Sequence, residues 1–244
     1  MKINKYYSPN FNKNKRLVNS IKIIVIHYTG MQSERESLLR LSNPKSKVSS
    51  HYLINQSGKI YRMVPDNLIA WHAGKSCWGK YKNINKNSIG IELVNKGHQF
   101  GYTSFKKRQL LSLINICEKL IKKYKIKSKN IVGHSDVAPQ RKIDPGEKFP
   151  WSKLAKKNIG IWHSQKPDLL KRLRKTKIVN AKDKKKFVKY LKNIGYCFSS
   201  TNKMFYVKTL RAFQRHYRKG LINGVLDKEC LVIAQNLQKS IKNS

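Results

Sequence analysis

The sequence predicts an α/β protein in which helices flank a mixed central β-sheet, followed by a second, small all-helical domain. Two observations predict this fold. In the first two thirds of the 244-residue chain, short β-branched apolar runs alternate with segments of helical periodicity. Beyond about residue 163 no strand pattern remains, and apolar residues recur three or four positions apart. We therefore expect a first domain at 1–165, a basic linker at 166–180 and a helical domain at 181–244.

The predicted strands are short apolar segments beside polar or turn residues. Segment 21–27 is a β-branched run that ends in a polar residue, as a buried strand does where it emerges at a site. Segments 51–54 and 59–64 flank Asn-Gln-Ser-Gly, which predicts a hairpin because glycine supplies the positive φ of the turn. Two further strands are predicted at 89–94 and 130–133.

The predicted helices follow the 3.6-residue period of apolar side chains. The first domain has one at 33–41 and a long amphipathic one from Ser104 to about Lys125, with Ser104 as its N-cap. Segment 134–150 is a loop rich in proline, glycine and charge. Three helices are predicted in the second domain, at about 181–193, 203–218 and 227–239.

The charge of the chain is strongly positive, with 53 Lys and Arg against 12 Asp and Glu and a net charge of +41. Such a field attracts polyanions of several classes, including nucleic acid, anionic lipid and acidic polymers. Lysine dominates the excess, lacks the planar fork of arginine, and is spread along the chain. We therefore expect no specific nucleic-acid partner, and a hydrophobic content of 39% argues for a folded core.

The four cysteines, Cys77, Cys117, Cys197 and Cys230, lie far apart and form no C-x-x-C pair. We therefore expect unpaired cysteines that act as small core residues, which mildly favours a reducing compartment. No apolar stretch approaches the roughly 18 residues of a membrane span, and no export signal is recognisable. The expected molecule is a soluble monomer.

Three segments carry side chains that can ligate a metal. His27 ends one strand, His134 follows another, and Asp144 lies ten residues later in the Pro-Gly loop. Two imidazoles and a carboxylate are a common catalytic zinc set, which leaves one tetrahedral position open to a water whose pKa zinc lowers toward about 7. Because no H-E-x-x-H motif occurs and most histidines are surface or core residues, the spacing alone leaves the metal and structural interpretations open.

Two further residues fit a catalytic site. Lys142 stands two residues before Asp144, and in an extended loop such residues point to the same side, so its ammonium is predicted to face a metal-bound substrate. Glu92 lies among apolar residues of a predicted strand, where burial without purpose would cost several kcal/mol. It is the candidate general base.

At this point the sequence resembles the zinc-dependent N-acetylmuramoyl-L-alanine amidases of the AmpD and AmiD type, which share their fold with peptidoglycan recognition proteins. The resemblance covers roughly residues 20–165, and several motifs occur in the family's order. They are His27-Tyr28-Thr29, Ser49-Ser50-His51-Tyr52 with Gly58-Lys59-Ile60, Ala70-Trp71-His72-Ala73-Gly74, Ser88 to Asn95, Gly133-His134-Ser135-Asp136, Lys142-Ile143-Asp144-Pro145-Gly146, and Phe149-Pro150-Trp151.

The resemblance implies a hydrolase that cleaves the amide between N-acetylmuramic acid and L-alanine of peptidoglycan or muropeptides. It implies that His27, His134 and Asp144 bind zinc, that Glu92 handles the proton of the attacking water, and that Lys142 stabilises the oxyanion. It also implies a substrate groove, whose expected contacts are His51, Trp71, His72 and Asn95, although each of these also fits a packed structural role. We expect structural roles for His98, His163 and His216, which match no ligand position.

Segment 187–237 looks like a three-helix peptidoglycan-binding module, on a shorter and less specific match. Its motifs are Leu191-Lys192-Asn193-Ile194-Gly195-Tyr196, Leu210-Arg211-Ala212-Phe213-Gln214-Arg215 and Asn223-Gly224-Val225-Leu226-Asp227. Such a module would raise the local concentration of an insoluble substrate. The compartment stays open, because a missing signal fits the cytoplasm and a wall-binding module fits the envelope. The rival functions are a non-catalytic peptidoglycan-binding protein on the same fold and a basic nucleic-acid-binding protein.

Overall fold

The computed structural model describes residues 2–178, 180–198 and 202–242, and they form ten strands and eight α-helices. The strands are β1 (Ile3–Lys5), β2 (Phe11–Asn12), β3 (Ile23–Tyr28), β4 (Tyr52–Ile54), β5 (Ile60–Arg62), β6 (Ile69–Ala70), β7 (Cys77–Trp78), β8 (Tyr81–Lys82), β9 (Ser88–Leu93) and β10 (Ile131–Gly133). The helices are α1 (Glu34–Ser42), α2 (Lys107–Tyr124), α3 (His134–Val137), α4 (Trp151–Ala155), α5 (Pro167–Arg174), α6 (Ala181–Ile194), α7 (Lys203–Tyr217) and α8 (Lys228–Lys242).

The central sheet has six strands in the order β1-β5-β4-β9-β3-β10. Strands β4, β9, β3 and β10 run parallel to one another, whereas β5 pairs antiparallel with β4 as the second arm of the predicted hairpin. Two separate two-stranded ladders join β2 to β6 and β7 to β8. The carboxyl ends of the parallel strands therefore meet at one edge of the sheet, which is where open α/β sheets place their ligands.

Alternation along β3 divides the core between the two faces of the sheet, because successive side chains of a strand point to opposite sides. Ile24 and Ile26 pack in one cluster with the apolar stripe of α2. Ile23 and Val25 pack in another cluster with the large side chains of α6, α7 and α8. The sheet is thus covered by α2 on one side and by the C-terminal helices on the other, which confirms the predicted mixed sheet flanked by helices.

The predicted strands and helices are confirmed with shifts of a few residues at their ends, but one predicted cap is wrong and the predicted loop 134–150 begins with the short helix α3. Ser33 caps α1, since its side chain accepts a hydrogen bond from the amide of Glu36. The assignment of Ser104 as a cap is wrong, because α2 begins at Lys107 and no side chain caps it. Phe105 is instead buried with its ring against Phe149, and the chain is extended at Lys106.

The C-terminal segment is helical as predicted and packs closely on the sheet. The stretch 166–180 contains α5, which contacts α8 and buries Leu170. Phe187, Leu191 and Phe213 are fully buried in the cluster that they share with the sheet. Among the residues that the structure describes, no helix is both long and apolar enough for a bilayer crossing.

The cysteine prediction is wrong for one pair. Cys117 and Cys230 are buried and free, as expected of small core residues. Cys77 and Cys197, which are 120 residues apart, form a disulfide that joins β7 to the chain after α6. The cysteine argument for a reducing compartment therefore no longer holds, since disulfides persist mainly in oxidising ones.

Candidate active site

Three neighbouring parallel strands deliver the central residues of the site. His27 lies near the end of β3, and the register places Glu92 of β9 directly beside it. His134 follows β10, whose last residue Gly133 pairs with Ile26 of β3. Paired residues of adjacent strands point to the same face of a sheet. Since His27 has the parity of Ile23 and Val25, the site lies on the face that carries the C-terminal helices.

The three predicted ligands meet at one point. His27 Nδ1 lies 3.0 Å from His134 Nδ1 and 3.0 Å from Asp144 Oδ2, and His134 Nδ1 lies 3.1 Å from that same oxygen. All three residues are buried. Ligand atoms at about 2.0 to 2.2 Å from a tetrahedral zinc are roughly 3.3 Å apart, so this spacing suits one small cation. The structure thus brings together a His-His-Asp group that can hold a metal ion.

The surrounding hydrogen bonds fix which nitrogen of each imidazole carries its proton. Ser88 donates its hydroxyl hydrogen to the carbonyl of Ile84, so its oxygen accepts from His72 Nε2 at 3.0 Å. His72 Nδ1 is then an acceptor, and His27 Nε2 donates to it at 3.1 Å. His134 Nε2 donates to the carbonyl of Ala73 at 3.2 Å, because a carbonyl only accepts.

In neutral rings this polarity leaves both Nδ1 atoms unprotonated, facing each other and a carboxylate oxygen. Three acceptors within 3.1 Å with no proton between them repel one another unless a cation lies among them. Metal-ligating histidines characteristically donate their other N–H to a carbonyl or a similar acceptor, as His27 and His134 do here. The donor set therefore fits a metal such as zinc.

The pKa shifts of His27 and Asp144 also fit a site that binds a cation. Burial, reinforced by the nearby His134, lowers the pKa of His27 to about 4, so its ring stays neutral and able to bind a cation. Burial alone would raise the pKa of Asp144, but the adjacent imidazoles of His134 and His27 hold it far below its usual value. The carboxylate is thus ionised at every ordinary pH.

A glycine makes room for the imidazole that supports His27. His72 lies across Gly90 of β9, and a Cβ at Gly90 would be 2.4 Å from Cγ of the His72 ring. No side chain larger than hydrogen fits there without moving His72. Gly90, in the Gly-Ile-Glu sequence that ends in Glu92, thus leaves the room that His72 needs beside His27.

Glu92 lies beside the metal cluster with an unsatisfied oxygen. Its Oε2 is enclosed and has no hydrogen-bond partner among the described residues. Burial raises the pKa of Glu92 to about 8, and the negative charge of Asp144 adds to the shift. A carboxyl group with this pKa can take up and release a proton near neutral pH.

The cluster opens into a cavity of about 350 Å³. Its lining contains all five predicted catalytic and metal residues, together with Trp71 and His72. Lys142 reaches it from the loop between His134 and Asp144, and its charge acts on both Glu92 and His27. Arg40 of α1 and Arg141 add positive charge to the wall. The cavity thus has the polarity to receive an anionic ligand.

The four predicted substrate contacts divide into two pairs. Trp71 lines the cavity and donates its indole N–H to Asn12, and His72 lines it while supporting His27. His51 and Asn95 are buried and lie outside the lining. His51 accepts from the amide of Gly90, and burial lowers its pKa to about 3. The side chain of Asn95 donates to the carbonyl of Thr103 and accepts from the amide of Gly97, which holds the loop after β9.

The structure also places the histidines for which no ligand role is predicted. His98 lies between Tyr28 and Glu147 at the surface, and His163 stacks on Trp162. His216 is buried and contacts Asp136. Sequence reasoning missed Ser88 as a support of the metal site; the one available signal is its position at the start of the strand that carries Glu92.

Comparison with known proteins identifies the family. The profile of the N-acetylmuramoyl-L-alanine amidases matches residues 17–147. AmiD of Escherichia coli is 37% identical over 233 residues, which cover 89% of this chain and 82% of AmiD. AmpD of Haemophilus influenzae, a 1,6-anhydro-N-acetylmuramyl-L-alanine amidase, is 34% identical over 164 residues, which cover 60% of this chain and 86% of AmpD.

Solved structures give the same result. AmiD of E. coli, in complex with anhydro-N-acetylmuramic acid-L-Ala-D-γ-Glu-L-Lys, superposes with a TM-score of 0.80 at 32% identity, covering 96% of this chain and 93% of AmiD. AmpDh3 of Pseudomonas aeruginosa, in complex with anhydromuramic pentapeptide, has a TM-score of 0.80 at 28% identity and 94% coverage of both chains.

The protein is thus a hydrolase of mixed α/β fold with a buried His-His-Asp group that can hold a metal ion. It belongs to the N-acetylmuramoyl-L-alanine amidase family, and its reaction is hydrolysis of the amide between N-acetylmuramic acid and L-alanine.

Proposed function

We propose that this amidase is a zinc enzyme in which His27, His134 and Asp144 hold the ion. The observation that carries the proposal is the group of two imidazole nitrogens and one carboxylate oxygen 3.0 to 3.1 Å apart. Zinc held there supplies a Lewis acid that polarises the scissile carbonyl and lowers the pKa of water toward about 7.

Glu92 is the proton carrier of the proposed reaction. Glu92 lines the cavity beside the metal cluster, its enclosed Oε2 has no hydrogen-bond partner among the described residues, and its pKa of about 8 suits proton transfer in both directions. Glu92 takes a proton from the attacking water as the oxygen bonds to the lactyl carbonyl carbon. It then gives that proton to the nitrogen of L-alanine as the C–N bond breaks.

Lys142 opposes the negative charge that develops on the carbonyl oxygen. Its side chain lies in the cavity wall two residues before Asp144, close enough to influence the pKa values of both Glu92 and His27. A fixed cation at this place stabilises the transition state more than the uncharged substrate carbonyl.

The proposed substrates are muropeptides and peptidoglycan fragments, including 1,6-anhydro forms. The support is the similarity over more than nine tenths of both chains to two amidases whose structures hold anhydromuramyl peptides. Stem peptides carry carboxylates, which the positively charged wall formed by Arg40, Arg141 and Lys142 attracts. Trp71 is the proposed substrate contact at the rim. Wall binding by the helical domain at 181–244 remains part of the proposal.

The test is mass spectrometry of muropeptides after incubation with the protein, with added zinc, with chelator, and with Glu92→Gln. We expect free stem peptide beginning with L-alanine, lost with chelator and with the substitution. Glu118→Gln, on the exposed face of α2 across the sheet, is the matched control and should retain full activity. Wall binding with no peptide release would instead mark a recognition protein on the same fold.

A further inference from the structure

The loop that carries two metal ligands lies against the C-terminal helices. It runs from His134 through Lys142 to Asp144, and its first turn, α3, contacts α7. The face of the sheet that holds the site is the face that α6, α7 and α8 cover. Side chains from this C-terminal segment hold the loop at two places.

The first place is Asp136, two residues after His134. Its Oδ2 accepts from the amide of Gly133 at 2.8 Å, which closes the turn that begins with His134. The same oxygen contacts His216 Nδ1 of α7 at 2.7 Å, and Oδ1 accepts from the hydroxyl of Tyr196 at 2.6 Å. Asp136, His216 and Tyr196 are each 1 to 3% exposed.

The geometry makes the support specific. His216 stacks on Trp151 with ring centroids 4.0 Å apart and an angle of 16°, which holds its donor nitrogen on Asp136. A buried carboxylate that loses a hydrogen-bond donor is left without compensation for its desolvation, which favours a rearrangement of the carboxylate. Without these two donors Asp136 would turn toward water and release the turn that places His134.

The second place is Gln140, between the two metal ligands. Its side-chain amide donates to the backbone carbonyl of Phe205 at 3.1 Å, and the backbone carbonyl of Gln140 accepts from Lys208 Nζ at 2.8 Å. Both partners lie on α7. The loop is therefore attached to α7 both before and after its middle.

We infer that His216 and Tyr196 are positioning residues for the metal site, and that the C-terminal helical segment is a structural part of the active site as well as a candidate wall-binding module. The inference rests on the proposed metal role of His134 and Asp144. It assigns His216 a function through Asp136, without contact to the ion or the substrate.

The test compares zinc affinity with stability. Metal-free protein is titrated with zinc against a chromophoric chelator, and unfolding in urea is followed separately, for wild type, His216→Ala, Tyr196→Phe and Gln214→Ala. Gln214 lies on the same helix and is buried, and among the described residues its side chain bonds only within the C-terminal segment, to Val225, Asn223, Gly224 and Cys230. It is the matched control for lost stability.

We expect His216→Ala and Tyr196→Phe to weaken zinc binding about tenfold, at the lower end of the range for outer-shell partners. Gln214→Ala should leave the zinc affinity unchanged although it lowers stability. His216→Asn, whose amide can replace the Nδ1 donor, should recover part of the affinity. Tyr196→Phe removes a single hydroxyl and keeps the test open should His216→Ala fail to fold.

The outcomes separate the two proposals. If wild-type protein binds no zinc, the proposed metal function fails. If wild type binds zinc and both His216→Ala and Tyr196→Phe bind it as tightly as Gln214→Ala does, the metal function stands and the positioning role is refuted.

Discussion

Replacing Glu92 by glutamine should stabilise the metal-free protein above neutral pH. The pKa of this carboxyl is about 8 in the fold against 4.5 for the free group. The folded state therefore binds more protons than the unfolded state between these values, and stability is lost as the pH rises from 4.5 to 8. The full shift corresponds to about 5 kcal/mol, of which about 2 kcal/mol falls between pH 6 and pH 8.

The assay is urea unfolding of chelator-treated protein at pH 6, 7 and 8. Wild type should lose about 2 kcal/mol over this range relative to Glu92→Gln, since glutamine mimics the neutral acid and does not titrate. Bound zinc should reduce the difference, because a nearby cation favours the ionised carboxylate.

The acid side of the profile is an internal control. Burial depresses the pKa of His27 to about 4 and that of His51 to about 3, so both stay neutral in the fold while the unfolded chain takes up protons below about pH 6.5. Both proteins carry this loss, and their curves should become parallel only below about pH 4.5, where Glu92 is protonated in the folded and the unfolded chain alike. Parallel curves for the two proteins between pH 6 and 8 would refute the argument.

Three further predictions concern the site and its frame. Lys142→Ala should lower kcat about a hundredfold or more with zinc affinity unchanged, the cost of one oxyanion donor; a change in zinc affinity alone would contradict the assigned role. His72→Ala should weaken zinc binding roughly 10- to 100-fold in chelator competition, since it removes the acceptor for His27, and an unchanged affinity would count against the proton order in the cluster. Cys197→Ser should cost about 2 to 5 kcal/mol in urea unfolding, because the Cys77–Cys197 bond closes a loop of 120 residues; reductant should affect wild type alone, and no effect on wild type would count against the bond.

The strand pattern predicted where two of the three residues of the His-His-Asp cluster lie, while the resemblance to the family supplied the ligand roles and Asp144. His27 ends an uninterrupted apolar strand, and His134 follows a second one. Carboxyl ends of parallel strands meet at one edge, so the two strands suffice to bring these residues together. Glu92 was predictable as a charge inside an apolar strand, and the register places it beside His27. For His27 and Glu92, the strand pattern gives both the edge of the sheet at which the residue lies and the face to which its side chain points.

Other features have no local signal. The disulfide joins Cys77 to Cys197 across 120 residues, and the sequence offers no spacing that would select this pair. The contact between Asp136 and His216 spans 80 residues and depends on how α7 packs on the sheet. His51 is a third case. Its motif can be read from the local sequence, but its burial depends on the tertiary fold, which places it against Gly90 and outside the cavity lining.

The alternation of β3 explains why the metal site and the C-terminal helices belong together. Ile23 and Val25 point to one face, and His27, two residues further along, points to that face as well. Apolar side chains there need a cover, which α6, α7 and α8 supply. Because these helices pack along β3, some of their side chains lie near His27. His216 of α7 is one of them, and it contacts Asp136 in the loop that carries His134 and Asp144. Removing residues 166–244 should therefore expose an apolar face and loosen the turn at His134 together, whereas loss of a tether alone would leave zinc affinity unchanged.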